Sequence, residues 1–176
     1  PSLVGSERCI RDSTIRDLIK TALRMRPNRV IVGECRGAEA LDVLQAMNTG
    51  HDGSLSTGHA NSCKDMLSRL ETMVLMGMEL PLPAIRSQIA SGIDFLIHLG
   101  RMRDKSRKVL SITEIAGYEE NQIILNDIYR FKEEKAEENT VHGAMEKVGE
   151  LIHTEKMIRA GYCLSLIHIS EPTRLG

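Results

Sequence analysis

Residues 29–34 read Arg-Val-Ile-Val-Gly-Glu, and the point where this run stops decides the fold. Val30, Ile31 and Val32 are apolar on both alternating faces and β-branched throughout. That pattern predicts a short strand buried on both sides, which is the signature of a parallel sheet. The strand stops at Gly33-Glu34. On its amino-terminal side, Ile15, Leu18, Ile19, Ala22 and Leu23 follow the spacing of one helical face. Thr14, with Asp17 three places on, suits the helix start, and Pro27 marks its end. On the other side, Leu41, Leu44 and Met47 predict a second helix, closed by Asn48-Thr49-Gly50, before a second strand at 54–57. Ser62, with Asp65, opens a third helix whose inner face is Met66, Leu67, Leu70, Met73 and Val74. Pro83 suits the first turn of a fourth, through Ile85, Ile89 and Ala90. Segments 95–99, 109–116 and 122–129 read as three further strands, with turns at 105–106 and 117–121. Strands alternating with helices, followed by consecutive strands, predict an α/β fold with a mainly parallel sheet and antiparallel edge strands.

The totals narrow the class. A chain of 176 residues that is 41% apolar can build one real core. A net charge of −1 gives no global pull toward nucleic acid or anionic lipid. Locally, Arg8, Arg11, Arg16, Lys20, Arg24, Arg26, Arg29 and Arg36 crowd the first fifth of the chain, and 101–108 is a second basic run. Aromatic content of 3% with no tryptophan speaks against a base-stacking surface. There is no signal-peptide pattern and no apolar run long enough to span a bilayer. Cys9, Cys35, Cys63 and Cys163 form no CxxC pair, which fits reduced thiols in a cytosol.

Glu34 is the first candidate for chemistry. Ligands of open α/β sheets sit beyond the carboxyl ends of the parallel strands, and Glu34 stands at such an end. An acid there can hold Mg²⁺, directly or through water, or orient an attacking water in phosphoryl transfer. Gly33 removes a side chain where the backbone would approach a ligand. The alternative is a strand-end acid capping the helix that begins near Gly37. Cys35 reads as a packed, inert thiol rather than a nucleophile, because no basic partner is tied to it.

Residues 50–62, GHDGSLSTGHANS, hold the next candidates. If 54–57 is the neighbouring strand, His59 falls at the same rim as Glu34, where an imidazole can hydrogen-bond a terminal phosphate. His51 precedes the strand and belongs to the opposite end. A zinc site needs three or four convergent ligands, and His51, Asp52 and His59 are separated by a whole strand. Glycines for turns and Ser62 as a cap explain part of the stretch without any ligand.

Residues 14–62, followed by DMLSRLETMVLMG (65–77) and IRSQIASGIDFLIHLGRMRDKSRKV (85–109), closely resemble the CpaF-type ATPases of the type II/type IV secretion ATPase family. The resemblance runs from about Thr14 to Phe131, and more weakly through GAMEKVGELIHTEKMIRAG (143–161). It implies that RVIVGE is a Walker B segment, with Glu34 at the Mg²⁺ and catalytic-water site. It implies that 50–62 is a His box, with His59 facing the γ-phosphate. It further implies ATP and Mg²⁺ as cofactors and a homohexameric ring with nucleotide between subunits. The ring would be cytoplasmic and peripheral at the membrane, docked on an inner-membrane platform protein. Arg24, Arg26, Arg29 and Arg36 are candidates for reaching a neighbour's phosphate, as planar and permanently charged donors. A solvated or intramolecular salt-bridging role stays open for each.

No GxxxxGKS/T occurs in the sequence, and the resemblance places that phosphate loop upstream of Pro1. The chain therefore reads as the C-terminal half of a RecA-like P-loop ATPase core, expected by itself neither to bind nor to hydrolyse ATP and to be poorly soluble. Residues 1–131 read as the partial motor domain and 132–162 as an acidic linker with a small C-terminal helical segment. Residues 163–176 read as a non-native tail, since LSLIHISEPTR (164–174) matches a translated sequencing adaptor. Two other functions remain open: a non-catalytic ring or regulatory subunit of the same fold, and a nucleic-acid-binding module using the basic segments. Met66, Met73, Met76 and Met78 suit core packing or, alternatively, an adaptable docking face.

Overall fold

The computed structural model describes residues 14–134, 140–159 and 161–162. The basic residues Arg8 and Arg11, the middle of the acidic linker and the adaptor-like tail lie outside the described residues. The chain divides into two compact units. The first runs through Ile93 and includes Glu120–Gln122; the second takes Asp94–Glu119 and the chain from Ile123 onward.

The first unit is helices around a short parallel pair: α1 (Ile15–Arg24), β1 (Ile31–Val32), α2 (Ala40–Met47), β2 (Leu55–Ser56), α3 (Cys63–Gly77) and α4 (Leu82–Gly92). Local signals set the helix starts. Thr14 and Asp17 form a reciprocal capping box, Ser62 Oγ accepts from the Asp65 N–H at 3.1 Å, and a proline stands in the first turn of α4. α2 is the centre. Leu41, Val43, Leu44 and Ala46 are buried, and Leu44 joins Val74, Ile85 and Ile89 from α3 and α4 in the core. Asp42, also buried, takes the Arg16 Nε–H from α1 at 2.6 Å. Gly50, with φ +84°, turns the chain out of α2 toward β2.

Two expectations are corrected here. The parallel pairing is confined to two residues per strand, Ile31 with Leu55 and Val32 with Ser56. Nor is β1 buried on both faces: Ile31 is 73% exposed, and its β2 neighbour Leu55 is 60% exposed. Among the described residues no further strand flanks this pair, so one apolar side of each strand stays uncovered.

The second unit is built on the larger sheet: β3 (Phe95–Arg101), β4 (Arg107–Glu119), β5 (Gln122–Glu133) and β6 (Gly143–Lys147), in that order, followed by α5 (Glu155–Arg159). It is antiparallel, so the sheet content is not mainly parallel. The reason is the length of the connections, since strands joined by tight turns can only pair antiparallel. Between β4 and β5 the turn residues are Glu120 and Asn121, with φ +47° and +64°, the left-handed pair that a two-residue hairpin requires. Between β3 and β4, Met102 N–H donates to the Ser106 carbonyl at 2.8 Å and Lys105 takes φ +66°. Asp104 Oδ1 accepts from the Ser106 N–H and hydroxyl at 2.9 and 2.6 Å, and Oδ2 from the Val141 N–H at 3.0 Å. These bonds, the Ser106 hydroxyl first, pull the Asp104 carboxyl down to about 2.

Strand β6 lies where the sequence reading has a linker and a helical piece; the small helix is α5, and the strand precedes it. Gly143 opens β6 opposite Glu133. A Cβ there would overlap the Lys132 carbonyl oxygen and the edge of the Phe131 ring. Gly143→Ala should therefore loosen β6 by about 1–3 kcal/mol. Amide exchange is the check: Gly143–Lys147 should exchange faster while β3 and β4 keep their protection.

Candidate functional site

The site follows from how β1 and β2 continue past their ends. Leu55 N–H donates to the Val30 carbonyl at 3.0 Å, and Cys35 N–H donates to the Thr57 carbonyl at 3.1 Å. Thr57 also donates its hydroxyl to the Gly33 carbonyl. Parallel register therefore carries Glu34 and His59 to the same rim. His59 Nε2 lies 3.2 Å from Glu34 Oε1, and Arg36 Nη2 donates to Glu34 Oε2. Each carboxylate oxygen thus has one partner, from two different loops. The Glu34 side chain is 23% exposed and that of His59 80%. The Arg36 hydrogen bond, with the charges of Arg36, His59 and Arg69, holds the Glu34 carboxyl below the usual carboxylate range despite partial desolvation.

A different acid ties down the loop that leads into α2. Glu39 Oε1 accepts the N–H groups of Arg36 and Gly37 at 2.8 and 3.1 Å. The Glu34 oxygens meet the Arg36 and His59 side chains instead, so the helix-capping alternative is not what the structure shows for Glu34. A Cβ at Gly33 would meet nothing within 4 Å, so packing among the described residues does not demand glycine there. At Gly58 it would overlap the Met66 thioether, which lies against the rim loop. Met66 is half-buried there and Met73 fully buried, whereas Met76 and Met78 are exposed.

The other candidates stand elsewhere. His51 Nδ1 is 3.2 Å from the Ala46 carbonyl and its own carbonyl accepts from Ser54 N–H and Oγ, which keeps it in the turn before β2. Arg29 precedes β1 and lies over Gly53, at the end of the strands opposite Glu34. Arg24 occupies the last turn of α1 and Arg26, with φ +50°, the turn beyond it. The structure unites Glu34, Arg36 and His59 and leaves Arg24, Arg26, Arg29 and His51 apart from them. Sequence reading passed over Thr57 and Arg69. The signal for Arg69 was available: α3 begins three residues after the rim loop, which brings its early turns close to Glu34.

Cys35 is buried, and burial, reinforced by the Glu39 charge, pushes its thiol up to about 11. At neutral pH it is a protonated, packed thiol. Iodoacetamide at pH 7.5 should leave Cys35 unmodified in native protein and label it after denaturation, as peptide mass mapping would show.

Comparison with known proteins gives this geometry a context. Residues 10–161 match the family described as "Type II/IV secretion system protein". The chain belongs to that family. A Mycobacterium tuberculosis (strain H37Rv) relative named for conjugal transfer is 43% identical over 103 residues, 58% of this chain and 29% of that protein. The type IV secretion system protein VirB11 of Brucella suis is 37% identical over 89 residues, 49% of this chain and 25% of that protein. The crystal structure of the VirB11 ATPase from the Brucella suis type IV secretion system, in complex with sulphate, superposes with a TM-score of 0.55 at 33% identity. It covers 57% of this chain and 32% of that one. This secretion-family chain thus spans between a quarter and a third of the length of these relatives.

Proposed function

We propose that this secretion-family chain supplies the Walker B and His-box side of an ATP site in a CpaF-type motor with a RecA-like core. In this reading a homohexamer hydrolyses ATP at the cytoplasmic face of a membrane to power pilus assembly or protein secretion, docked on a platform protein. The observation that carries the reading is the 3.2 Å approach of His59 Nε2 to Glu34 Oε1 at one rim of a parallel strand pair. The family membership and the VirB11 ATPase likeness support it.

The donor set fits a magnesium nucleotide. Among the described residues no group of three or more His, Cys, Asp or Glu side chains gathers as a metal cage. Mg²⁺ seldom needs one: it keeps several waters and binds through one or two carboxylates plus phosphate oxygens. Glu34 is such a carboxylate, ionised at neutral pH. Bound Mg²⁺·ATP would supply the electrophilic phosphorus and the metal charge that offsets charge in the transferring group. Glu34 would orient a water by accepting its hydrogen. His59, exposed and on a loop leading into α3, would donate to a phosphate oxygen and pass the loss of that phosphate to the helix. No helix among the described residues is long and apolar enough to cross a membrane.

The test is nucleotide binding and Mg²⁺-dependent ATP hydrolysis by the whole gene product that carries these residues. Hydrolysis with a loss on substitution at Glu34 supports the motor. Binding without turnover would favour a regulatory ring subunit, and neither binding nor turnover would remove the ATP-site reading.

A further inference from the structure

We propose that Arg36 is the positioning residue of Glu34, acting within its own chain, and that Glu39 sets the loop from which it acts. This rests on the ATP-site reading above and changes what Arg36 does there. The sequence left it open between reaching a neighbouring subunit's phosphate and a solvated or intramolecular salt-bridging role; the geometry points to the last, with a carboxylate two residues away.

A glutamate at a strand end has three rotatable side-chain bonds, and its carboxylate can take many orientations. Here the two oxygens are divided. His59, from the loop after β2, takes Oε1 at 3.2 Å, and the Arg36 guanidinium, from the loop after β1, takes Oε2. Two contacts from two loops define the direction of the carboxylate. Free lone pairs remain on both oxygens, so a water or a metal-bound water still has an acceptor.

Arg36 is itself held by its backbone. Glu39 Oε1 receives the N–H of Arg36 at 2.8 Å and of Gly37 at 3.1 Å. The run 34–39 is therefore a closed arrangement: Glu39 grips the amides, the loop aims the guanidinium, and the guanidinium aims Glu34. A planar group with fixed charge suits this task better than an ammonium on a flexible stem. The pair is too exposed to contribute much to stability, since water screens such contacts, which leaves geometry as its effect. Reactions that depend on near-attack geometry lose rate steeply when an orienting group is freed.

The experiment uses the whole gene product with Arg36→Ala, Arg36→Lys, Glu39→Gln and Glu34→Gln. Arg36→Ala should lower kcat about tenfold or more while KM for ATP and affinity for a non-hydrolysable ATP analogue stay within about twofold. Arg36→Lys, or guanidinium ion added to Arg36→Ala, should recover part of kcat. Glu39→Gln should shift kcat in the same direction by less. In nucleotide-free protein, ¹⁵N spectra should show hindered rotation of the Arg36 guanidinium, released in Glu34→Gln. The opposite split, with kcat kept and analogue affinity cut about tenfold, would make Arg36 a phosphate grip and overturn the proposal; so would a freely rotating guanidinium. Full turnover in Glu34→Gln would sink the ATP-site reading separately, since the spectra test the Arg36 contact without nucleotide.

Discussion

Glu34→Gln should abolish turnover, with kcat falling about 100-fold or more, while the protein stays folded and still binds nucleotide. Glutamine keeps the shape and one acceptor oxygen. It replaces the other oxygen with a donor that faces either the Arg36 guanidinium or the His59 ring, both already donors or able to be. The carboxylate then loses its charge and its fixed direction together. Its chemistry explains the expected size. The Arg36 hydrogen bond holds this carboxyl below its ordinary range, which makes it a weak proton acceptor. In the proposed motor its value would lie in orienting a water, since the loose transition state of phosphoryl transfer asks for little proton removal from the nucleophile. Steady-state hydrolysis with a parallel analogue-binding measurement checks this. A kcat within a few-fold of the parent would show that no water is oriented at Glu34.

How much of this was legible depends on how local each signal is. The caps at Thr14 and Ser62 and the proline opening of α4 rest on residues within one turn of each other, and the structure contains all three. The rim was legible because a strand, a crossover helix and a second strand force parallel pairing. Once Val30 and Leu55 are neighbours, Glu34 and His59 must share an end. The burial of Ile31 was misread, because an apolar run says what a strand would cover and not what covers it. β6 was missed for a different reason. GAMEK has weak alternation, and its partner is β5, across residues whose composition reads as solvated. Arg36 shows the limit most clearly: its type announced a cation for some anion, and only the fold of the 34–39 loop selects Glu34. Glu114 is similar. In ITEIAG it passes for the polar position of an alternating strand, and its partners come 38 and 39 residues later.

That buried carboxylate should be the residue on which the second unit depends most. The Glu114 side chain is 1% exposed. It accepts the Ile152 and His153 N–H groups at 2.9 and 2.7 Å and the Asn126 amide at 3.1 Å, with His153 Nδ1 at 3.2 Å. It therefore ties β4 to β5 and to the segment leading into α5. Glu114→Ala strands these donors and should cost the unit about 3 kcal/mol, enough to expose β4 and β5 to exchange. Glu114→Gln, of equal size, should lose less, because one acceptor remains while its new amide faces an N–H. Acidity provides the independent check. Burial alone would push this carboxyl up, but the Ile152 and His153 amides, the Asn126 amide and the His153 ring outweigh it, so the folded value lies below the unfolded one. A carboxyl lowered on folding stabilises fully above its unfolded value of about 4.3, and that contribution fades as pH falls through the folded value. Protection of β4 amides in the parent protein should thus hold from pH 7 to about 5 and decline below it. Glu114→Gln should start lower and decline less, since Asp104 and Asp127 keep their own acid sensitivity. Parallel declines in the two proteins would mean that the Glu114 carboxyl titrates alike in the folded and unfolded chain, and the amides around it would then need another explanation.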